Sequence, residues 1–222
     1  MALNKLKYNS LNLTPAANKA IGFDSDADAL EATLEGGAMT FIKKITASSD
    51  STISFVDGSS DVVLDNTYKE YMFIFKNIHP ASDGAAFRFQ VSINSGSAYG
   101  VAITSTNIRH YHNEGGSDNA LSLSTNFDLA NSTNFQALSD NSGNDTDHSC
   151  NGILHVFNPS STTFVKHFIS NFVSSHSSDY SYNNLVSGYI NTTSAVNAIR
   201  FDANDDNSVN IDSGDICLYG IS

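Results

Sequence analysis

Across residues 37–222, hydrophobic residues recur at every second position in short runs. In TISFV, Ile53 and Phe55 fall on the same side of an extended chain. The apolar positions of AAFRFQVSIN alternate in the same way: Phe87, Phe89, Val91 and Ile93. A period of two is typical of β-strands with one buried face. Turn-forming runs rich in Gly, Ser, Asn and Asp separate these stretches. The pattern therefore predicts an all-β domain, a jelly-roll-like β-sandwich with almost no helix.

The stretch YKEYMFIFKNI is apolar on both sides of the alternation. Its two sets of positions are Tyr71, Phe73 and Phe75, and Met72, Ile74 and Ile78. A strand that is apolar on both faces is typical of the buried interior of a protein. We therefore expect a central strand that is covered on both sides.

The stretch TTFVKHFISNFVSS fits two interpretations. Its apolar residues also have helical spacing: Phe164, Val165, Phe168, Ile169, Phe172 and Val173. The preceding NPSSTT offers residues that cap helices. However, the stretch is rich in β-branched and aromatic residues and contains neither Ala nor Leu, which favours a strand.

Residues 1–36 show no sustained hydrophobic period. Pro15 and the pair Gly36-Gly37 interrupt the segment, and ADALEATLE has the composition of one or two helical turns. We interpret it as an extended N-terminal arm that packs on a partner through Leu3, Leu6, Tyr8, Leu11, Leu13, Ile21 and Phe23. Because these side chains need a surface to bury against, we expect a homo-oligomer, most simply a trimer.

The composition narrows the choice of partners. The chain has 222 residues and a net charge of −12, and only 15% of its residues are charged. No Lys/Arg cluster is present to bind a nucleic-acid backbone, and the acidity should repel an anionic membrane surface. No apolar run approaches the length of a membrane span. The two cysteines, Cys150 and Cys217, are expected to be buried free thiols.

A stretch near the C-terminus resembles a calcium-binding loop. Asp202, Asn204 and Asp206 alternate as oxygen ligands would. An EF-hand loop also needs Gly at position 6 and a bidentate carboxylate at position 12, and these positions hold Asn207 and Ser213. The flanking stretches alternate as strands rather than helices. We therefore expect a polar hairpin loop, and calcium binding is the alternative.

A second candidate metal site is the stretch IRHYHNE. On a strand, His110 and His112 point to the same side and could ligate a transition metal, and Glu114 lies nearby. A trimer could bring three such pairs to one axis. The simpler expectation is two histidines at a strand end, in solvent or hydrogen-bonded. The alternating carboxylates Asp24, Asp26 and Asp28 are likewise expected to be solvated.

No motif for catalysis is evident. The chain has no G-x-S-x-G nucleophile turn and no Gly-rich loop before a helix that would hold a phosphate. It has no Trp, so a sugar-binding platform would depend on Tyr. We predict neither a cofactor nor an enzymatic activity.

Several stretches resemble a large family of small virion proteins of marine bacteriophages. They are NKLKYNSLNLTPAANKAIGFDSDADALE, STISFVDGSSDVVLDNTYKEYMFIFKNIHP, FNPSSTTFVKHF, GYINTTSAVNAIRF and DSGDICLYGIS, nearly end to end. The resemblance implies a structural part of the virion, assembled in the host cytoplasm. It would be a tail fibre or appendage, or a head fibre or decoration protein, and homotrimers are common among such parts. The acidic DANDDNSVN is longer than the turn expected there.

Two functions follow as expectations. In the first, the arm anchors the chain on other virion proteins and the sandwich stands outward. In the second, the sandwich recognises a glycan or protein receptor on the host surface. An aromatic pocket at one end of the sandwich would favour recognition, and featureless loop ends would favour decoration. A hydrolase acting on host polysaccharide is a weaker third alternative.

Overall fold

The computed structural model describes the backbone of two strands in the N-terminal segment and, beyond them, residues 38–204 and 208–222. All regular elements of these residues are β-strands, and no helix occurs among them. In chain order, the strands are β1 (Ala20–Phe23), β2 (Leu30–Leu34), β3 (Met39–Thr46), β4 (Ile53–Val56), β5 (Glu70–Pro80), β6 (Arg88–Ser92), β7 (Ile103–Asn113), β8 (Asn119–Leu123), β9 (Gln136–Ala137), β10 (Cys150–Phe157), β11 (Lys166–His176), β12 (Tyr180–Ile190), β13 (Ala198–Asp202) and β14 (Ile211–Ile221).

The chain divides into two compact units, Met1–Thr40 and Phe41–Ser222. In the first unit, β1 and β2 form an antiparallel pair, with Phe23 opposite Leu30. The expectation of helical turns in ADALEATLE is therefore wrong for β2. A helix of one or two turns is too short to be stable by itself, and pairing with β1 satisfies the backbone groups instead.

The second unit contains two sheets with the strand order of a jelly roll. One sheet begins β3-β14-β5-β10, and the other is β4-β13-β6-β9. If these eight strands are numbered 1 to 8 along the chain, the strand order is 1-8-3-6 in the first sheet and 2-7-4-5 in the second. This arrangement is that of a double-sheet jelly roll. The predicted fold class is confirmed.

Four further strands extend the larger sheet beyond β10 in the order β11-β12-β7-β8, so that it has eight strands and the smaller sheet has four. The segment between β8 and β10 lies against the inner side of this extension. Leu129 N–H donates to Ser105 Oγ at 2.9 Å, and Arg109 forms an ion pair with Asp140. The inner side of the larger sheet is therefore covered by the smaller sheet and by this segment, while its other side faces away from the core.

Aromatic rings fill the space between the sheets. The Phe75 ring lies 4.9 Å from Phe172 and 5.0 Å from Phe201 between centroids, and Phe73 lies 5.3 Å from Phe55. The contacts of Phe75 with Phe201 and of Phe73 with Phe55 are edge-to-face, which is favourable at these distances. The core thus joins the two sheets directly, as in other sandwiches.

Most expected core positions are confirmed. Phe87, Phe89 and Val91 are buried, as are the three inner aromatic residues of β5. Ile93 is exposed, because β6 ends at Ser92 and Ile93 begins the following turn. The remaining core positions named from sequence, Ile53 and Phe55 in β4, are buried too.

Two expectations about individual strands need correction, and one is confirmed. β5 is not covered on both sides, since Met72 and Ile74 are only partly buried; the smaller sheet packs on one face alone. The loop after Asp202 is not a hairpin, because β13 belongs to the smaller sheet and β14 to the larger. Residues 166–176 form a strand rather than a helix, as predicted. Both cysteines are free and buried, also as predicted.

Candidate functional site

The side of the larger sheet turned away from the core is called the outer face here. Strand β11 shows how side chains are divided between the two sides. Phe168 and Phe172 are buried in the core, whereas Ile169 and Val173 alternate with them and are exposed. Large apolar side chains therefore lie on both sides of this sheet.

Strand pairing aligns many of the outward-facing residues in one line across the sheet. We call this line the apolar row, and its members are Leu123, Ile108, Leu185, Asn171, Ile153, Ile74 and Cys217, each opposite the next. Asn171 is its one polar member, and Cys217, at the far end, is buried. Directly opposed residues have Cβ atoms about 5 Å apart. The row therefore forms one continuous strip that crosses seven strands.

More apolar side chains flank the apolar row. Leu121 is 73% exposed, Ile169 is 53% exposed and Val173 is 49% exposed. Leu121 lies opposite His110, and Ile169 lies opposite His155. The outer face of an antiparallel sheet is usually polar when it faces water, and contiguous apolar patches commonly mark interaction sites.

The outer face is also free of formal charge over five adjacent strands. Its outward positions on β7, β8, β10, β11 and β12 hold Ile, Leu, Val, Phe, Tyr, Ser, Thr, Asn and His, with no Lys, Arg, Asp or Glu. The chain as a whole carries a net charge of −12. Depletion of charge together with apolar enrichment is characteristic of the centre of a protein interface.

A polar pocket of about 460 Å³ lies at one end of the outer face. β7 and β11 end there, and β10 and β12 begin there. Groups that can form hydrogen bonds line the pocket, together with one phenol ring: His112, Glu114, Asp147, His148, His176 and Tyr180. Among the residues that the structure describes, no Lys or Arg side chain lines it. The pocket thus has acceptors and imidazoles but no permanent cation.

Contacts with neighbouring rings hold His176 at the pocket wall. Its ring centroid lies 4.4 Å from that of Tyr182, and its Nδ1 accepts a hydrogen bond of 3.0 Å from Ser178 N–H. Burial lowers the pKa of His176 below its ordinary value of 6.5; the negative charge of Asp140 opposes this shift and the positive charge of Arg109 adds to it. Accepting a hydrogen bond at Nδ1 also requires that nitrogen to be unprotonated.

An ion pair supports the pocket from the inner side of the sheet. Asp140 is fully buried and binds the Arg109 guanidinium. That guanidinium lies 5.2 Å from the Tyr182 ring centroid and 5.5 Å from that of Tyr111, within the range of cation–π attraction. Tyr180 packs on Tyr111 at 5.6 Å. The aromatic wall is therefore built on a buried charge pair.

The two histidines proposed from sequence as metal ligands lie on the outer face. His110 and His112 are both exposed on β7, and His112 Nδ1 lies 2.8 Å from the Asn113 carbonyl oxygen. Within the described part of the chain, no group of three or more His, Cys, Asp or Glu residues could hold a metal ion. The structure thus brings no third ligand to this pair.

The other candidate residues are only partly covered by the structure. Asp202 is fully buried in β13, and Asn204 Nδ2 donates to Ser208 Oγ at 3.2 Å. Asp206 lies outside the described residues. Ile21 and Phe23 belong to β1. Eight further candidates lie outside the described residues: Leu3, Leu6, Tyr8, Leu11, Leu13, Asp24, Asp26 and Asp28.

Sequence reasoning missed the outer face, although a signal was present. Adjacent apolar residues place one side chain on each face of a strand. Such doublets occur at Ile153-Leu154, Phe168-Ile169, Phe172-Val173 and Leu185-Val186. They indicated that both faces of these strands carry apolar side chains, but the order of the strands in the sheet was needed to show that these side chains line up.

Comparison with known proteins identified no relative. No protein-family model, no curated protein and no solved structure matches this chain. In the described residues, no helix is long and apolar enough to cross a membrane.

Proposed function

We propose that this chain is a non-enzymatic structural component of a bacteriophage virion, either a tail fibre or appendage or a head fibre or decoration protein. The observation that carries the proposal is the uncharged, apolar outer face. A face of this kind is costly to leave in water and marks a subunit of a larger assembly.

Two further points support a place in the virion. The jelly roll recurs in viral capsid proteins and in lectins, which is an analogy at the level of fold. The stretches quoted above resemble small virion proteins of marine bacteriophages. In this role, residues 1–36 attach the chain to another virion protein and the jelly roll forms the exposed body.

The test is to find the protein in purified particles of the phage that encodes it. Particles banded on a density gradient are analysed by quantitative mass spectrometry, and antibody labelling in the electron microscope locates the protein on head or tail. We expect a fixed copy number per particle that survives washing in high salt. Recovery only in the unbanded lysate would contradict the proposal.

The pocket favours a second candidate function, recognition of the host-cell surface. Its ring and hydrogen-bonding groups suit a sugar, which presents an apolar C–H face and many hydroxyls. Because Glu114, Asp147 and Asp179 line the pocket without a compensating Lys or Arg, an anionic sugar would be repelled. The candidate ligand is therefore a neutral glycan.

Saturation-transfer NMR with neutral and sialylated oligosaccharides tests this second function. Neutral sugars should show transfer that is lost when Asn151→Leu removes a hydrogen-bonding group from the pocket rim. Ser187→Leu, on the same face but outside the pocket, is the matched control and should retain the transfer. Equal transfer to both classes of sugar, or none, would reject the site.

A further inference from the structure

We infer that the outer face binds the outer face of a second copy of this chain. The body of the protein would then self-associate by itself, independently of the N-terminal arm. The inference rests on the proposed structural role and names the partner of the apolar row.

Charge selects a second copy as the partner. Two chains that each carry a net charge of −12 repel one another, so a contact between charged surfaces would bring like charges together. The outer face is uncharged on five adjacent strands, and it can approach another copy of itself without that cost. A basic partner would gain little there, because the carboxylates beside the face are few. Glu70, at its edge, is already paired with His155, and Glu114, Asp147 and Asp179 lie only in the pocket at one end.

The area of the face is sufficient for a stable interface. The five adjacent strands span about 24 Å across the sheet. β7, β11 and β12 have 11 residues each and extend about 36 Å, whereas β10 with 8 residues extends about 26 Å and β8 with 5 residues about 17 Å. The face therefore offers on the order of 700 Å² per copy, which is close to the area that a specific interface buries on each partner. Seven of its side chains are large, apolar and exposed: Ile108, Leu121, Leu123, Ile153, Ile169, Val173 and Leu185.

The geometry of the apolar row suits packing of sheet on sheet. The row runs across the strands, so a two-fold axis parallel to it would set the row of one copy against the row of the other. Such an interface is self-complementary, and side chains of two facing sheets interdigitate at a spacing of about 10 Å. A trimer would instead divide the face of each copy between two neighbours.

The test measures self-association of the full chain by sedimentation velocity and light scattering over a range of concentrations. Ile169→Asp and Leu185→Asp each place a charge in the centre of the face. Both positions are solvent-exposed in the single chain, so the variants should fold. Each should weaken self-association about 10-fold or more, as central interface residues do.

Phe164→Asp is the matched control. Phe164 is 67% exposed but lies before β11 and off the face, so this variant should associate like the wild type.

Circular dichroism first establishes that each variant is folded. If an Asp variant is unfolded, Ile169→Ser and Leu185→Ser replace it, with Phe164→Ser as control. Dimers that are lost only in the face variants support the inference, whereas trimers contradict pairing of one face with one other. A wild-type chain that stays monomeric overturns the inference. This includes a monomer whose own arm covers the face, which hydroxyl-radical footprinting would reveal as protection of Leu185. Oligomers that persist in both face variants also overturn it. A monomeric protein that is nevertheless found in purified virions would reject this inference and leave the structural role intact.

Discussion

Phe73 lies at the centre of the aromatic core, and its side chain is completely buried. Its ring centroid is 5.3 Å from that of Phe55 and 5.3 Å from that of Phe201, so it joins strands of both sheets. Phe73→Ala should reduce the free energy of unfolding by about 3–5 kcal/mol, because it leaves a cavity between the sheets. Urea denaturation followed by circular dichroism measures the change.

The matched control is Phe164→Ala, the same substitution at an exposed ring. It should change the free energy of unfolding by less than about 0.5 kcal/mol, as surface substitutions usually do. If the two variants unfolded at the same urea concentration, Phe73 would not lie in the core.

From the environment of His176 we predict how the stability of the folded chain depends on pH. Its pKa in the folded chain is lowered by burial from the ordinary value of 6.5, so the unfolded chain binds more protons as the pH falls through that value. The contribution of His176 is therefore present above its unfolded pKa and is lost as the pH falls below it. The unfolding midpoint should decrease between about pH 7.5 and about pH 5, and His176→Gln should flatten this dependence. An unchanged pH profile in the variant would contradict the assignment.

Alternation in the sequence correctly predicted the burial of single residues within strands. Phe87, Phe89 and Val91 needed only the period of two to be placed inward. Ile93 continues that period but lies beyond the end of β6, where the chain turns. The end of a strand depends on where its partner strand stops, and the local sequence does not contain that information.

On the scale of elements, β10 packs closely against β11 at Gly152. A Cβ added at Gly152 would lie 2.6 Å from the Phe172 ring and 2.6 Å from the Asn171 carbonyl oxygen. Gly152 thus leaves room for a core ring. Gly152→Ala should destabilise the protein by about 1–3 kcal/mol, as overpacked cores do, and thermal unfolding measures the change.

Gly115 provides the control for this prediction. A Cβ there would meet only the Asn113 amide nitrogen at 3.6 Å and the Ser117 hydroxyl at 3.8 Å, which are ordinary contacts. Gly115→Ala should leave the melting temperature nearly unchanged. A similar loss in both variants would indicate a general effect of replacing glycine rather than the clash with Phe172.

Strands could be predicted from sequence, but their order could not. β7 and β12 are neighbours, although they are separated along the chain by four strands. β13 and β14 follow one another but belong to different sheets, which is why the expected hairpin is wrong. Pairing between distant segments depends on the packing of the whole core, whereas alternation reports only which side of a strand is apolar.

The same limit explains why the candidate site was not predicted as a surface. The apolar row contains one residue from each of seven strands, drawn from positions 74 to 217. Each member is unremarkable within its own strand. The row exists only through the register of the whole sheet, and a shift of one residue in β11 would move Ile169 and Val173 to the inner side. By contrast, His110 and His112 were correctly expected to share one side, because that depends on one strand alone.

On the scale of the whole molecule, we predict that the jelly roll folds without the N-terminal arm. Among the described residues, the core cluster extends from Ala47 to Leu218, and the chain divides into compact units near Thr40. Deleting residues 1–36 should therefore leave a β-sheet domain with a cooperative melting transition, observed by circular dichroism. Because the outer face belongs to the body, this domain should also retain the self-association of the full chain. A truncated chain that does not fold would show that the arm completes the core.

We expect that attachment to the virion requires the arm, although the body folds without it. Leu3, Leu6, Tyr8, Leu11 and Leu13 are spaced irregularly among polar residues, as in a segment that orders on a partner's surface. The truncated chain should therefore be absent from purified particles. Leu11→Ser with Leu13→Ser in the full chain keeps the length of the arm and removes two of its apolar anchors, and this double variant should reduce the copy number per particle. Asn4→Ser with Asn9→Ser, polar changes in the same segment, is the matched control and should incorporate normally. Mass spectrometry of gradient-banded particles gives the copy number, and incorporation of the truncated chain at the wild-type level would refute the attachment role.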